Sequence, residues 1–353
     1  MAMFGRSSSG LMAFLMLTGC ATAAPAVVPQ DPCTMCKDPR LQEQVVTLPA
    51  TAEPRLTPVL ERPEEAALPR RVSISVTIDD LPGAGPLPAG VTRDQVIDKL
   101  IAVLTAHGIK DAVGFVNGVG LAEGTAATEA MVHWDQAGLP IGNHTYSHRS
   151  ANAMTQDELR DEIIKNEEAL GAMLAQKPGK TRYFRFPFLE RGKTTEDRQS
   201  NERLLKVLGY RNAETSVDFN DWAWTDGYVR CAAKNDDATL ATLSRAYLEF
   251  AMASFHWAVD GAKVAFGRPI PHVLLLHATY ATAVNLDALL TALEREGARF
   301  IGLDEALQNS AYALPPKDKA GSANIVLEAL SAKKLVRMGY VPRPLPLIDL
   351  ACR

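Results

Sequence analysis

The sequence predicts an α/β fold built on a parallel sheet, and three observations carry that prediction. Short β-branched or apolar runs recur between residues 72 and 302. Amphipathic runs of helical spacing separate most of them. The alternating unit spans about 240 residues, near the size of a single (β/α) barrel. Alternation of this kind implies parallel strands with both faces covered, as an open sheet or a closed barrel.

The elements follow in order. Val72–Ile78 alternates apolar and small polar residues and is rich in β-branched types, which reads as a strand. Asp94–Ala106 reads as a helix, with Val96, Ile97, Leu100, Ile101 and Leu104 on one face. Ala112–Val116 is a second strand, Thr128–Ala137 a second helix and Leu139–Gly142 a short strand. Thr155 and Glu158 have the spacing of a capping box that opens a helix reaching about Leu174. Arg182–Arg185 reads as a strand, Asn201–Leu208 as a helix and Tyr210–Val217 as a strand. Ala238–Phe266 is helical, with a break expected at Asp260-Gly261. Val273–Leu276 is a buried strand, Leu286–Glu296 a helix and Arg299–Gly302 a last strand. Residues 311–353 form an extension with one helix, Ala323–Lys334, expected to dock onto the 72–310 domain.

Composition narrows the function classes. The 353 residues carry 37 basic against 41 acidic side chains, a net charge of −4, and are 47% hydrophobic. That balance offers no electrostatic footprint for nucleic acid, and a monomer is expected. Residues 1–19 read as a signal segment, with Arg6 ahead of a short apolar core at Leu11–Leu17. Leu17-Thr18-Gly19-Cys20 resembles the lipobox of bacterial lipoproteins, which implies export and a lipid anchor on Cys20 in the cell envelope. Residues 20–71 are rich in Pro and Ala and read as a linker with a reach of roughly 40 Å. Cys33, Cys36, Cys231 and Cys352 remain, and an exported setting favours structural bridges in any of three pairings.

Parallel α/β folds present their reactive side chains at the C-terminal ends of strands. Asp79 and Asp80 end the first strand here, and His144 and His148 follow the third. Arg185 through Phe188 follow the fourth, Asp218 through Trp222 the fifth, and His277 ends the sixth. Each alone has an ordinary structural explanation, such as a cap, a surface charge or a satisfied core histidine. Their recurrence at successive strand ends is what points to chemistry. Two imidazoles and a carboxylate make a three-ligand site with an open position, so Asp80, His144 and His148 are the expected ligands of a zinc-type ion. Asp79 is then the candidate base and His277 the candidate acid. Arg185 is expected to hold Asp79, Asp221 to balance the charge of Arg185, and a backbone N–H near Phe188 to face an oxyanion.

The same residues resemble the five ordered motifs of the polysaccharide deacetylases that share the NodB homology domain, carbohydrate esterase family 4. Thr77-Ile78-Asp79-Asp80, His144-Thr145-Tyr146-Ser147-His148, Arg185-Phe186-Pro187-Phe188, Asp218 through Asp221-Trp222, and Leu274-Leu275-Leu276-His277 appear in the family's order. The resemblance implies a distorted (β/α)7-type barrel and a divalent ion, Zn2+ first, with Co2+, Ni2+ and Mn2+ as alternatives. It also implies removal of acetyl groups from N-acetylglucosamine polymers or O-acetylated polysaccharide. Pro187, Phe188 and Trp222 are its implied substrate-side residues, and Leu275 its implied acetyl-pocket wall. Two departures stand out: Ile78 replaces an aromatic, and Phe188 stands where the motif also allows Tyr. A long helical stretch from Tyr228 to Arg268, carrying Tyr247, Phe250, Phe255, His256 and Trp257, is read as packing or as a roof over the groove. A non-catalytic, membrane-tethered carbohydrate-binding module and a small-amide hydrolase on the same fold remain the competing readings.

Overall fold

Strand β1, Val72–Leu81, divides its side chains between two environments. Ile74, Val76 and Ile78 point outward into a large apolar cluster shared with the surrounding helices. Ser75, Thr77 and Asp79, at the alternate positions, are buried on the inner face. The strand thus carries a polar row into the interior of the sheet, and that row ends at the site.

The computed structural model describes residues 71–173, 181–313, 324–335 and 343–353. After β1 come α1 (Arg93–Ala106), β2 (Val113–Val116), α2 (Thr125–Gln136), β3 (Ile141–Asn143) and α3 (Gln156–Leu170). Then follow β4 (Arg182–Phe184), α4 (Thr195–Val207), β5 (Tyr210–Asn212), α5 (Thr225–Ala233) and α6 (Asp237–Phe266). The remainder is β6 (His272–His277), α7 (Tyr280–Arg295), β7 (Ala298–Phe300), α8 (Leu303–Leu307), α9 (Ile325–Ala332) and α10 (Leu345–Leu350). The sheet has seven strands in the order β5-β4-β3-β2-β1-β6, with β7 paired to the first residues of β1. All pairings are parallel.

The ring closes beyond β5. The chain leaves β4 after Asn212, and Val217 bridges Leu274 of β6, with the Leu275 N–H donating to the Val217 carbonyl at 2.9 Å. The expected strand Tyr210–Val217 is therefore two short pairings to different neighbours. The barrel is distorted there because one segment must reach from β4 to β6.

Other expectations change as well. Helix α4 starts six residues before the expected Asn201, capped by Thr194, whose hydroxyl accepts from Asp197 N–H. Its first turns are polar and bury Arg198 and Asn201, with Leu205 buried further along, so no apolar period marked those turns. Helix α6 is not broken at Gly261. The glycine lies where α9 packs closest: a Cβ there would meet Val326 Cγ1 at 3.0 Å and Leu330 Cδ1 at 3.2 Å. Tyr247, Phe250 and Phe255 on α6 are buried in the core, and His256 pairs with Glu296 at the surface. The helix packs against the barrel rather than roofing a groove.

The extension carries two helices, α9 and α10, where one was expected. Helix α9 buries Ile325, Val326, Ala329 and Leu330 against the end of α6. Helix α10 is bound to α5 by a Cys231–Cys352 disulfide and by Arg230, which donates to the Ile348 and Ala351 carbonyls. One of the open cysteine pairings is thus resolved, while Cys20, Cys33 and Cys36 lie outside the described residues.

Candidate active site

Most candidate residues lie at or just past the C-terminal ends of the barrel strands, with Leu275 inside β6 and Asp221 and Trp222 in the turn before α5. In parallel pairing Asp79 lies beside His277, which brings the two candidate proton carriers onto adjacent strands. Leu275 is buried on the same inner face, two residues below His277 and paired with Thr77.

Asp80, His144 and His148 present three ligand atoms within 4.8 Å of one another. The Asp80 Oδ1 atom lies 3.5 Å from His144 Nε2 and 3.3 Å from His148 Nε2. His144 Nδ1 is 2.8 Å from the Arg185 carbonyl, an acceptor only, so Nδ1 carries the proton and Nε2 keeps its lone pair. Burial, with the neighbouring His148 charge, pushes the His144 pKa down to about 3, so the ring is neutral at physiological pH. A neutral ring nitrogen then faces a buried carboxylate oxygen that has no hydrogen-bond partner. Acceptor facing acceptor is unfavourable unless a cation lies between them, so the donor set fits a divalent ion.

The loop is held from behind by amides. Asn117 Nδ2 donates to the His144 and Thr145 carbonyls. Asn143 Oδ1 accepts from Thr145 N–H at 2.9 Å and from Asn166 Nδ2 at 2.9 Å. Gly142 leaves room for the Phe115 ring, which a Cβ would meet at 2.5 Å. The ring lies 4.2 Å below the Arg185 guanidinium. Of the three asparagines only Asn143 adjoins a quoted motif, directly before His144. Asn117 and Asn166 act through the fold and have no local signature.

Backbone strain gathers at the same place. Asp80, Thr145, His148, Phe188 and Asn220 all have φ between 52° and 64°. Each such non-glycine residue costs on the order of 1–3 kcal/mol, which the surrounding packing must sustain. Three of them immediately hold or flank the ligand set.

Arg185 is 1% exposed, and its Nη1 donates to Asp79 Oδ1 at 2.6 Å and to Thr77 Oγ1 at 2.8 Å. Burial pushes the Asp79 carboxyl up from its ordinary value, while the charges of Arg185, His277 and His148 pull against it. Asp221 does not balance Arg185, contrary to the expectation from sequence. Its Oδ1 is 2.7 Å from His277 Nδ1, and its Oδ2 accepts from the His277 backbone N–H at 2.8 Å and from Thr282 Oγ1 at 2.6 Å. Both oxygens are spent on the His277 side of the site. Burial opposes charge on His277, but the Asp221 carboxylate and its hydrogen bond outweigh it and push the imidazole pKa up to about 10. Thr282 was not singled out from sequence, since the helix was expected to begin at Leu286, whereas α7 begins at Tyr280 and takes Thr282 into its first turn.

The rim is aromatic. Pro187 is buried at the start of a short turn, and Phe188 projects from it with 49% exposure, its ring 4.5 Å from that of His148. Trp222 is 46% exposed, one residue after Asp221. The arrangement sets a carboxylate held by a guanidinium and an imidazole held by a carboxylate beside a candidate three-ligand cation site.

Comparison with known proteins agrees with this geometry. Residues 68–212 match the family described as polysaccharide deacetylase, a span that contains Asp79, Asp80, His144, His148, Arg185, Pro187 and Phe188. Asp221, Trp222, Leu275 and His277 lie beyond it. A peptidoglycan-N-acetylglucosamine deacetylase of Bacillus cereus is 24% identical over 247 residues, 68% of this chain and 70% of that protein. Among solved structures, a CE4-family pseudoenzyme from Bacillus anthracis is 18% identical with TM-score 0.46, covering 68% of this chain and 66% of its own. A family 4 carbohydrate esterase from Bacillus anthracis is 20% identical with TM-score 0.42, covering 68% and 84%. Over residues 68–212 the chain is similar to the polysaccharide deacetylase family of hydrolases.

Proposed function

We propose that this protein is a metal-dependent deacetylase that removes acetyl groups from an N-acetylglucosamine-containing or O-acetylated carbohydrate. The observation that carries the reading is the pairing of Asp79 with Arg185 and of His277 with Asp221 beside the Asp80–His144–His148 set. Asp80, His144 and His148 would hold a divalent ion, Zn2+ by donor type, which would supply Lewis acidity toward water and toward the acetyl carbonyl. The protein's own groups do the proton work. Asp79 takes the proton of the attacking water, and Arg185 holds that carboxylate in place. As the carbonyl carbon gains the water oxygen and loses the sugar nitrogen or oxygen, His277 gives its proton to the departing sugar atom. Acetate and the free amine or hydroxyl result.

Metal content tests this without a choice of substrate. After chelation and zinc refill, the wild type is expected to hold about one tight ion per chain. His144→Ala and His148→Ala are each expected to lose it. Acetate release from N-acetylglucosamine oligomers follows the same pattern. A wild type that holds no tight ion would remove the hydrolytic reading.

The reading includes location. The Leu17–Cys20 segment supports export with a lipid on Cys20, and a disulfide between Cys231 and Cys352 suits an oxidising compartment. No helix among the described residues is long and apolar enough to cross a membrane. Intact mass of the membrane-extracted protein is expected to give a chain beginning at Cys20 and carrying acyl groups. An unacylated chain cut elsewhere would remove the anchor.

A further inference from the structure

The C-terminal arm reaches the mouth of the site. Arg343, just ahead of α10, places its guanidinium carbon 5.8 Å from the centre of the Trp222 ring. Trp222 directly follows Asp221, the partner of His277, so this cation stands on the acid side of the groove. Electrostatics agree with the placement. Asp218 is raised by burial, and its charge is drawn back by the Asn220 N–H and then by both His277 and Arg343.

The arm is held there by more than its own contacts. Helix α5 begins three residues after Trp222, and it is to α5 that the arm is bound. Cys231 and Cys352 bridge the two, and Arg230 donates to the Ile348 carbonyl at 2.8 Å and the Ala351 carbonyl at 3.0 Å. Gly227 allows the approach: a Cβ there would come within 3.2 Å of the Ile348 oxygen. The rim and the arm therefore move as one piece. The Arg343 side chain is half-buried, and among the described residues no carboxylate lies in ion-pair range of it. A guanidinium costs side-chain entropy to hold, and among the described residues Asp218 acts on it only through space, without an ion pair.

We propose that Arg343 and Trp222 form a subsite for a sugar that carries a carboxylate, so that the preferred substrate is an acidic acetylated carbohydrate. The inference rests on the deacetylase reading for the reaction, but not for the binding. The exposed indole face suits the C–H face of a pyranose ring. The guanidinium fork beside it suits one carboxylate, bidentate and singly charged. A neutral sugar uses the indole alone.

The test is binding and turnover by the zinc-loaded full chain, with three probes. The first is a tetrasaccharide of N-acetylglucosamine in which alternate residues carry a 3-O-lactyl carboxylate. The second is the same molecule with the carboxyls converted to methyl amides, which keeps the shape and removes the charge. The third is an acetylated xylo-oligosaccharide with a glucuronic acid branch, which moves the carboxylate to a different sugar. Wild type is expected to bind an acid probe about tenfold more tightly than the amide, a preference that shrinks as salt rises. Arg343→Gln is expected to bring acid and amide to parity, and Arg343→Lys to keep part of the preference. Whichever acid probe is preferred identifies the source of the carboxylate. Equal affinity of wild type for acid and amide, or a preference that survives Arg343→Gln, would overturn the inference. The two readings fail separately. An Arg343-dependent preference without acetate release leaves the subsite and removes the deacetylase, and acetate release at equal affinities does the reverse.

Discussion

Asp79→Asn is expected to lower kcat for acetate release by about 10²–10⁴-fold, the usual share of a positioned general base. It is expected to do so with the ion still bound, because the proposed ligand set is Asp80, His144 and His148. The substitution is chosen for the Arg185 side. An asparagine oxygen can still accept from Arg185 Nη1, which now donates to Asp79 Oδ1 at 2.6 Å. Asp79→Ala removes that acceptor and leaves a buried guanidinium unpaired, a loss of about 3–5 kcal/mol when a buried pair is broken. The pair of variants therefore separates chemistry from folding. Asp79→Asn should lose rate with a small change in Tm, and Asp79→Ala should lose both. Zinc content measured beside kcat completes the experiment. Rates within about tenfold of wild type for Asp79→Asn would move the base role elsewhere.

Asp221→Asn should change the pH dependence more than the fold. His277 must be protonated to act as an acid, and its pKa stands at about 10 because of Asp221. In the wild type the acid is charged across the neutral range, so its limb of the kcat profile lies on the alkaline side. Without the carboxylate, burial dominates and the imidazole pKa falls. The alkaline limb then moves down by at least about one pH unit, and the rate at pH 8 falls while acid pH restores part of it. Stability follows the same sign. A histidine whose pKa is raised on folding adds stability that is fully present below its unfolded value of about 6.5. That stability is lost as pH rises through the folded value of about 10. The variant loses this contribution, so its Tm deficit is largest below pH 6.5 and shrinks toward pH 10. An alkaline limb that stays in place in Asp221→Asn would show that His277 is not the titrating acid.

Thr282 and Tyr247 give these expectations their structural basis. Thr282 Oγ1 holds Asp221 Oδ2 at 2.6 Å, and Tyr247, buried on α6, raises its own pKa partly through the nearby Asp221 charge, after burial itself. The long helix thus backs the acid side of the site. Sequence reading placed Tyr247 as a packing residue and saw no reason to mark Thr282. Both belong to elements whose periodicity reports burial, and burial says nothing about which carboxylate a hydroxyl will meet.

The sequence by itself determined the alternation of strands and helices, because side-chain period is a local property that survives in the bare string. It also determined which residues would share one end of the barrel. In a parallel sheet every strand end faces the same way, so Asp79, Asp80, His144, His148, Arg185, Asp221 and His277 could be gathered before any coordinates. Close spacing made His144 and His148 legible as a pair. Only the tertiary structure decided who partners whom across long separations. Asp221 lies 36 residues from Arg185 and 56 from His277, and nothing local prefers the farther one. Ring closure at Val217 and Leu274, the unbroken α6 at Gly261, the strained backbone of Asp80 and His148, and the arrival of Arg343 at Trp222 are of the same kind. Each depends on packing between segments distant in sequence, where the cost of a strained or buried group is met by neighbours that no local pattern names.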